Sequence, residues 1–207
     1  MNDLETFLWL IPFLIVSLVL HELAHALVAT KLGDPTPRRE GRLTLNPIAH
    51  LDPLGTIMFA VTYFTTGLMF GWARPVMVDA RRFRHPKQGM ALVAAAGPAT
   101  NFGLALIAGA FLVHGSLHGE AFQVAARAFL INIVLGVFNL LPIPPLDGSR
   151  IVGAMLSDAA YARWSALDQY GMFALFGLIL VFQNEFFTLM DSAYGHAANA
   201  IFRIVGG

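Results

Sequence analysis

The stretch "LVLHELAHALVA", residues 18–29, decides how this chain is read. Two histidines and a glutamate stand inside a run that otherwise has the apolar sequence of a helix in lipid. The run extends from about Leu4 to Leu32 and stops at Gly33-Asp34-Pro35, a helix-ending combination. About 29 residues at 1.5 Å each make roughly 43 Å, enough to cross the ~30 Å hydrocarbon layer. His21 lies roughly 18 Å before that end and His25 roughly 12 Å, so both fall inside the layer. Ionisable side chains are costly there, and each is by default a functional-site hypothesis.

The composition agrees with a membrane setting. Of 207 residues, 57% are hydrophobic and 13% charged, against roughly 45–50% and about 25% in soluble domains. Mean hydropathy is +0.64. The chain reads as an all-α polytopic membrane protein with about four to six membrane segments. A formal net charge of +0 gives no nucleic-acid surface. The absence of cysteine excludes disulfides and thiolate metal ligands. The first helix lacks a basic leader and a small-residue cleavage site, so it is not expected to be a removable signal peptide. No internal repeat is visible. One domain is expected over 1–207, with a core at 4–155 and a C-terminal helical segment at about 166–190.

Beyond the first helix, basic and apolar segments alternate. Residues 34–51 carry Arg38, Arg39 and Arg42, and "RLTLNP" alternates like a short strand. An apolar run covers 53–73. A second basic stretch follows with Arg74, Arg81, Arg82, Arg84 and Lys87, and "PVMVDA" inside it reads as extended. The pieces 42–47 and 75–79 could pair as a short membrane-associated β element, and a free edge there could take an unwound substrate strand. Residues 88–113 are rich in Ala and Gly, which permits close helix contact in lipid. Gly97, Pro98 and Asn101 then serve packing and a local kink. A helix is expected at about 121–141. "NLLPIPPLDGSR" follows, and its prolines cannot continue a regular helix. A last apolar run spans roughly 170–181, with a short amphipathic helix in the tail.

His21, Glu22 and His25 form the pattern HExxH. Residues i and i+4 share a helix face, so both imidazoles can reach one metal ion, with Glu22 beside them as an acid-base group. This is the chemistry of a zinc peptidase: the metal lowers the pKa of water and polarises the scissile carbonyl, and the glutamate moves the proton. The bland reading is that the histidines hydrogen-bond to neighbouring helices and Glu22 pairs with one of them. A catalytic zinc needs a third protein ligand and an open position. The chain offers His50, His85, His114, His118 and His196, mostly in polar loops, and Asp147 on the proline-stiffened segment. Asp147 could equally close an Asx-turn or cap a helix starting near Ser149. His50 and Asp52 flank the turn before residue 53, where a plain polar turn competes with a role in water access.

"HELAH" at 21–25 together with "NLLPIPPLDG" at 139–148 resembles the site-2 protease family of intramembrane zinc metalloproteases. The second piece fits that family's N-x-x-P-x-x-x-L-D-G pattern through Asn139, Pro142, Leu146, Asp147 and Gly148. "AGPATN" at 96–101 is similar to its third element. "RLTLNPIAHLDPLGT" at 42–56 and "FGWARPVMVD" at 70–79 are similar to its small bacterial subgroup without a PDZ domain. The resemblance covers nearly residues 1–155. It implies one Zn2+ per chain held by His21, His25 and Asp147, with Glu22 as catalytic base. It implies that Asn139 holds the substrate backbone or the oxyanion. The substrate would be a transmembrane protein cut within or near the bilayer, and the location the bacterial cell (inner) membrane. The competing class is a non-catalytic metal-binding protein, a transporter or a chaperone-like relative. A transporter should show paired polar sites and inverted repeats, and metal binding alone needs no Glu22. The sequence is silent on the substrate's identity and on oligomeric state.

If Asp147 joins the histidines, depth constrains topology. The helix before Asp147 must run toward the same side as the C-terminal end of the first helix. The 88–113 helix must then start on that side, so residues 34–87 begin and end there. The apolar run 53–73 is therefore expected to dip in and return, or 72–87 to recross through a protein-lined cavity. Both flanks of 53–73 are basic, which puts that side in the cytoplasm.

Overall fold

The computed structural model describes residues 3–66 and 71–206. The first helix, α1, spans Asp3–Lys31. It ends as its sequence directs. Gly33 has φ 105°, a conformation glycine adopts without steric cost, and the N–H of Asp34 reaches back to the carbonyl of Ala29 at 3.0 Å. A single turn, α2 (Thr36–Arg39), leads into the polar segment. The remaining helices are α3 (Pro53–Thr66), α4 (Pro86–His114), α5 (Gly119–Asn139), α6 (Asp147–Gly153), α7 (Asp158–Ser165), α8 (Asp168–Val181) and α9 (Gln183–Gly206).

Three helices among the described residues are long and apolar enough to cross a membrane: Leu8–Lys31, Pro86–His114 and Gly119–Asn139. The α7–α8 pair, bent by 64°, makes a fourth if it counts as one span. The count thus sits at or below the lower end of the sequence expectation. Two segments account for the shortfall. α3 has only 14 residues. The last apolar run stops at Val181 and is followed by α9, a 24-residue helix rather than a short tail. α9 packs Ile201 into a core shared with Ala105 and Ala108 of α4 and Phe129 and Ile133 of α5. A second cluster joins Leu146, Leu175, Ile179, Phe186 and Met190.

α1 and α4 run antiparallel, since His21 meets Asn101 and His25 meets Val93. α4 and α5 are antiparallel too, with Asn101 against Asn132 and Gly109 against Phe129. α5 therefore runs parallel to α1, and Asn139 lies toward the side where α1 ends. Small residues make this approach possible, because apolar side chains gain little by leaving lipid for each other and backbone proximity carries the packing. At Gly136 an added Cβ would already be 3.0 Å from the Phe102 ring.

The polar stretches form a tied platform rather than a sheet. No strand forms among the described residues at 42–47 or 75–79, which corrects the β expectation. The reason is local. Pro47–Ala49 is a 3-10 turn capped by the Asn46 side chain, and Pro75 has no N–H to offer a ladder. The two segments meet nonetheless. Buried Arg42 donates to the carbonyls of Ala49 (2.5 Å), Arg74 (3.2 Å) and Pro75 (3.1 Å). Leu51 and Ala73 form an isolated antiparallel bridge, and the Arg74 N–H donates to the carbonyl of His50 at 2.9 Å. Fully buried Asp34 accepts from the Thr36 N–H and hydroxyl and, 45 residues on, from the Asp79 N–H at 2.7 Å. The two flanks of α3 are thereby held side by side. Residue 71 also lies against the start of α3, where a Cβ would come within 2.7 Å of the Phe59 Cβ. Residues 67–70 of the expected 53–73 run lie outside the described residues.

Two ion pairs hold the region after α5. Lys87, at the start of α4, donates to the Leu156 carbonyl at 2.9 Å and lies 2.7 Å from Asp158. Its hydrogen bond and charge hold that exposed carboxyl below its usual range. Arg150 of α6 meets Asp168 of α8 at 2.6 Å.

Candidate metal centre

α1 presents His21 and His25 one turn apart on its buried face, each 7% exposed. Their rings stand edge to face with centroids 4.6 Å apart. Asp147 arrives from the far end of the chain. α5 stops at Asn139, and the prolines at 142, 144 and 145 carry the backbone to Leu146, which is the residue capping α6. Asp147 is therefore the first helical residue and not the cap, and the cap makes no side-chain hydrogen bond. Its Oδ2 lies 3.1 Å from His21 Nε2 and 3.3 Å from His25 Nε2. The three ligand atoms fall within 4.8 Å of one another. Of the loop histidines considered as a third ligand, none belongs to this cluster.

Glycines make the assembly possible. A Cβ on Gly148 would run into the carbonyl of Leu140, so the turn after Asp147 folds directly onto the end of α5. A Cβ on Gly171 of α8 would be 2.5 Å from the Pro144 carbonyl oxygen, so α8 backs the proline segment. Gly97 of α4 faces the ligand atoms themselves: its Cβ would crowd His21 Nε2 and stand 2.5 Å from His25 Nε2. A residue read from sequence as a packing glycine is thus the wall of the site.

The hydrogen bonds around the rings place a hydrogen on each Nδ1. His25 Nδ1 is 2.7 Å from the carbonyl of Val93, which can only accept, so Nδ1 carries the hydrogen and Nε2 of the neutral ring presents a lone pair. His21 Nδ1 is 2.6 Å from Asn101 Oδ1, an acceptor that in the neutral ring leaves Nε2 equally bare. Asp147 Oδ2 is buried and has no hydrogen-bond partner. With both rings neutral, as metal ligation requires, the short Nε2–Oδ2 distances lie between acceptors. In that state three lone pairs converge on one point, a set that could hold a metal ion. Ligands about 2.0–2.2 Å from a tetrahedral zinc sit roughly 3.3–3.6 Å apart. The two observed separations are at or just under that spacing, and a nitrogen-nitrogen-oxygen set suits zinc.

The other two expected residues are placed differently. Glu22 is half-buried on the same turn of α1 as His21. Asn139 is the last residue of α5, and its side-chain amide donates to the Leu135 carbonyl at 3.0 Å, so one of its two N–H groups is spent within its own helix. His50 is fully buried, with Nε2 donating to the Thr44 carbonyl at 2.9 Å. Asp52 caps the start of α3 through the Gly55 N–H at 2.8 Å. That is the plain turn chemistry weighed for Asp52. The carbonyl of Val93 and the side chain of Asn132 were not singled out from sequence. Asn132 carried a signal, being an amide in the middle of "FLINIVLG", where a polar side chain asks for a partner.

Comparisons with known proteins agree with this geometry. The profile described as "Peptidase family M50" matches residues 116–182, the part that holds Asn139 and Asp147. "Putative zinc metalloprotease YwhC" of Bacillus subtilis is 43% identical over 182 residues, covering 84% of this chain and 80% of its own. "Putative zinc metalloprotease Rip2" of Mycobacterium tuberculosis is 32% identical, covering 84% of this chain and 67% of its own. A zinc metalloprotease of Methanocaldococcus jannaschii is 28% identical over 151 residues, which is 72% of this chain and 35% of that protein. No solved structure matches the chain at a significant level. The relation to YwhC over most of both chains, together with the matched profile, establishes that this chain belongs to peptidase family M50, the site-2 protease family.

Proposed function

We propose that the protein is a zinc-dependent endopeptidase of the membrane that cuts peptide bonds within or near the transmembrane segments of other membrane proteins. The observation that carries this reading is the convergence of His21 Nε2, His25 Nε2 and Asp147 Oδ2 on one point. Zinc is the resident cofactor, one per chain, with these three side chains as ligands. When bound it supplies a Lewis acid that lowers the pKa of water and polarises the scissile carbonyl. Glu22 takes the proton of the attacking water and passes it to the leaving amine. Asn139 uses its remaining N–H, or its carbonyl oxygen, to hold the substrate backbone or the oxyanion. The apolar length of α1, α4 and α5 on either side of the ligands supports a site below the membrane surface, where a substrate helix would unwind to reach it.

Topology supports one further element of the reading. The bridge between Leu51 and Ala73 and the grip of Arg42 bring both flanks of α3 together. The apolar segment between them then enters the membrane and leaves on the same face. Basic residues on both flanks make that face cytoplasmic, and the site opens toward it. The whole chain acts as one membrane metalloprotease domain.

Glu22→Gln is the decisive test. The variant is expected to retain zinc at the wild-type stoichiometry and to lose cleavage by about 10²-fold or more. In cells, full-length membrane substrates should accumulate relative to the active enzyme. A variant that keeps cleaving at the wild-type rate would remove Glu22 from the mechanism. An active protein without zinc would remove the metalloprotease reading itself.

A further inference from the structure

We infer that Asn132 of α5 is a positioning residue for the metal centre, acting through Asn101 to set the proton position and orientation of His21. The inference rests on His21 being a zinc ligand. The observation is a chain of hydrogen bonds whose direction is fixed at one end. The Asn132 side-chain amide lies 2.8 Å from the carbonyl of Ala128, and that carbonyl can only accept. Asn132 must therefore turn its Nδ2 toward Ala128 and its Oδ1 toward Asn101. Asn101 answers with its own Nδ2, 2.9 Å away, which leaves its Oδ1 facing His21 Nδ1 at 2.6 Å. An acceptor at that position holds the hydrogen on Nδ1 and leaves Nε2 with its lone pair for the metal.

Both amides are buried, Asn101 at 0% and Asn132 at 3% exposure, so water does not compete for either of them. Without Asn132, the Asn101 amide has no group that distinguishes its two orientations. Flipped, it would turn an N–H toward His21 and favour the opposite tautomer, with the hydrogen on the ligand atom. A backbone carbonyl of α5 thus determines the state of a side chain on α1, across α4. His25 needs no such chain, because the Val93 carbonyl serves it directly. The two ligands on α1 are oriented by different means, and only one of them depends on α5.

The experiment measures zinc affinity in detergent by competition with a chromophoric chelator, with thermal unfolding of the zinc-free protein measured alongside. Outer-shell partners of metal-bound histidines typically contribute 10–100-fold in affinity. Asn132→Leu is expected to weaken zinc by about tenfold, at the lower end of that range, and Asn101→Leu by at least as much. The double variant should be no weaker than Asn101→Leu alone, because Asn132 has no other route to the metal. Asn132→Ala carries the same test should the leucine variant not fold. Unchanged zinc affinity in a folded Asn132 variant overturns the inference. So does a double variant whose two losses multiply, since independent packing defects would behave that way. His21→Ala separates this result from the site assignment: it should lower zinc affinity severely. Should His21→Ala bind zinc normally, the zinc-site reading fails and this inference with it.

Discussion

At the residue scale, the centre depends as much on an absent side chain as on those present. Gly97 lies where a methyl group would occupy the space between His21 Nε2 and His25 Nε2. Gly97→Ala must therefore push α4 away from α1 or turn both rings from their common point. Overpacking of this kind costs about 1–3 kcal/mol. The expected outcome is a lower unfolding temperature together with a loss of zinc, read by metal analysis of the purified protein. Gly103 is the control on the same helix. It is exposed with nothing within 4 Å of its Cβ position, so Gly103→Ala should leave zinc unchanged and keep or slightly raise the unfolding temperature. HExxH was fully legible at this scale, because i,i+4 spacing is a property of any helix. The tautomers of the two histidines were not, because they depend on Val93 and Asn101, which another helix supplies.

At the element scale, the segment around α3 shows how a loop is fixed without a sheet. The alternation in "RLTLNP" and "PVMVDA" predicts strands, but alternation reports only that a segment can be extended. One buried guanidinium serves three carbonyls there, from Ala49, Arg74 and Pro75. Its planar fork of donors suits that task, and a lysine ammonium would not reproduce it. Arg42→Ala leaves those carbonyls without their donor, a cost of about 1–3 kcal/mol for each one that stays buried. Hydrogen exchange at the Arg74 amide, which bonds to the His50 carbonyl, should accelerate strongly, while exchange in α4 and α5 stays slow. Arg42→Lys should restore only part of the protection. Equal protection in wild type and Arg42→Ala would show that the bridge at Leu51 and Ala73 and the Asp34 tie to Asp79 hold the platform without Arg42.

At the scale of the whole molecule, the parallel course of α1 and α5 is the central fact. It brings the C-terminal end of α1 and the residues after α5 to one side, and it is the arrangement that a shared ligand set requires. The chain has no cysteine, so single cysteines report topology without a background. Glu40→Cys and Arg84→Cys, both at exposed positions, are expected to react with an impermeant maleimide from the same face of sealed vesicles. Ser116→Cys, in the turn between α4 and α5, is expected to react only from the opposite face. Labelling of positions 40 and 84 from opposite faces would overturn the return of the 53–73 segment.

The sequence by itself determined the membrane setting, the helix that carries two of the converging ligand atoms, and the breaks at Gly33 and the proline segment. These follow from local rules: hydropathy over about twenty residues, a 3.6-residue period, and the restricted backbone of proline and glycine. It also supplied the family, because paired motifs survive as text. Only the tertiary structure decided that Asp147 opens α6 rather than capping it, that Gly97 walls the site, and that an amide on α5 reaches His21 through α4. Each of those depends on the distance between helices far apart in the chain, and no local pattern encodes that distance. Small residues permit it in lipid, and buried hydrogen bonds between Asn101 and Asn132, between His21 and Asn101 and between His25 and the Val93 carbonyl hold the helices in that packing.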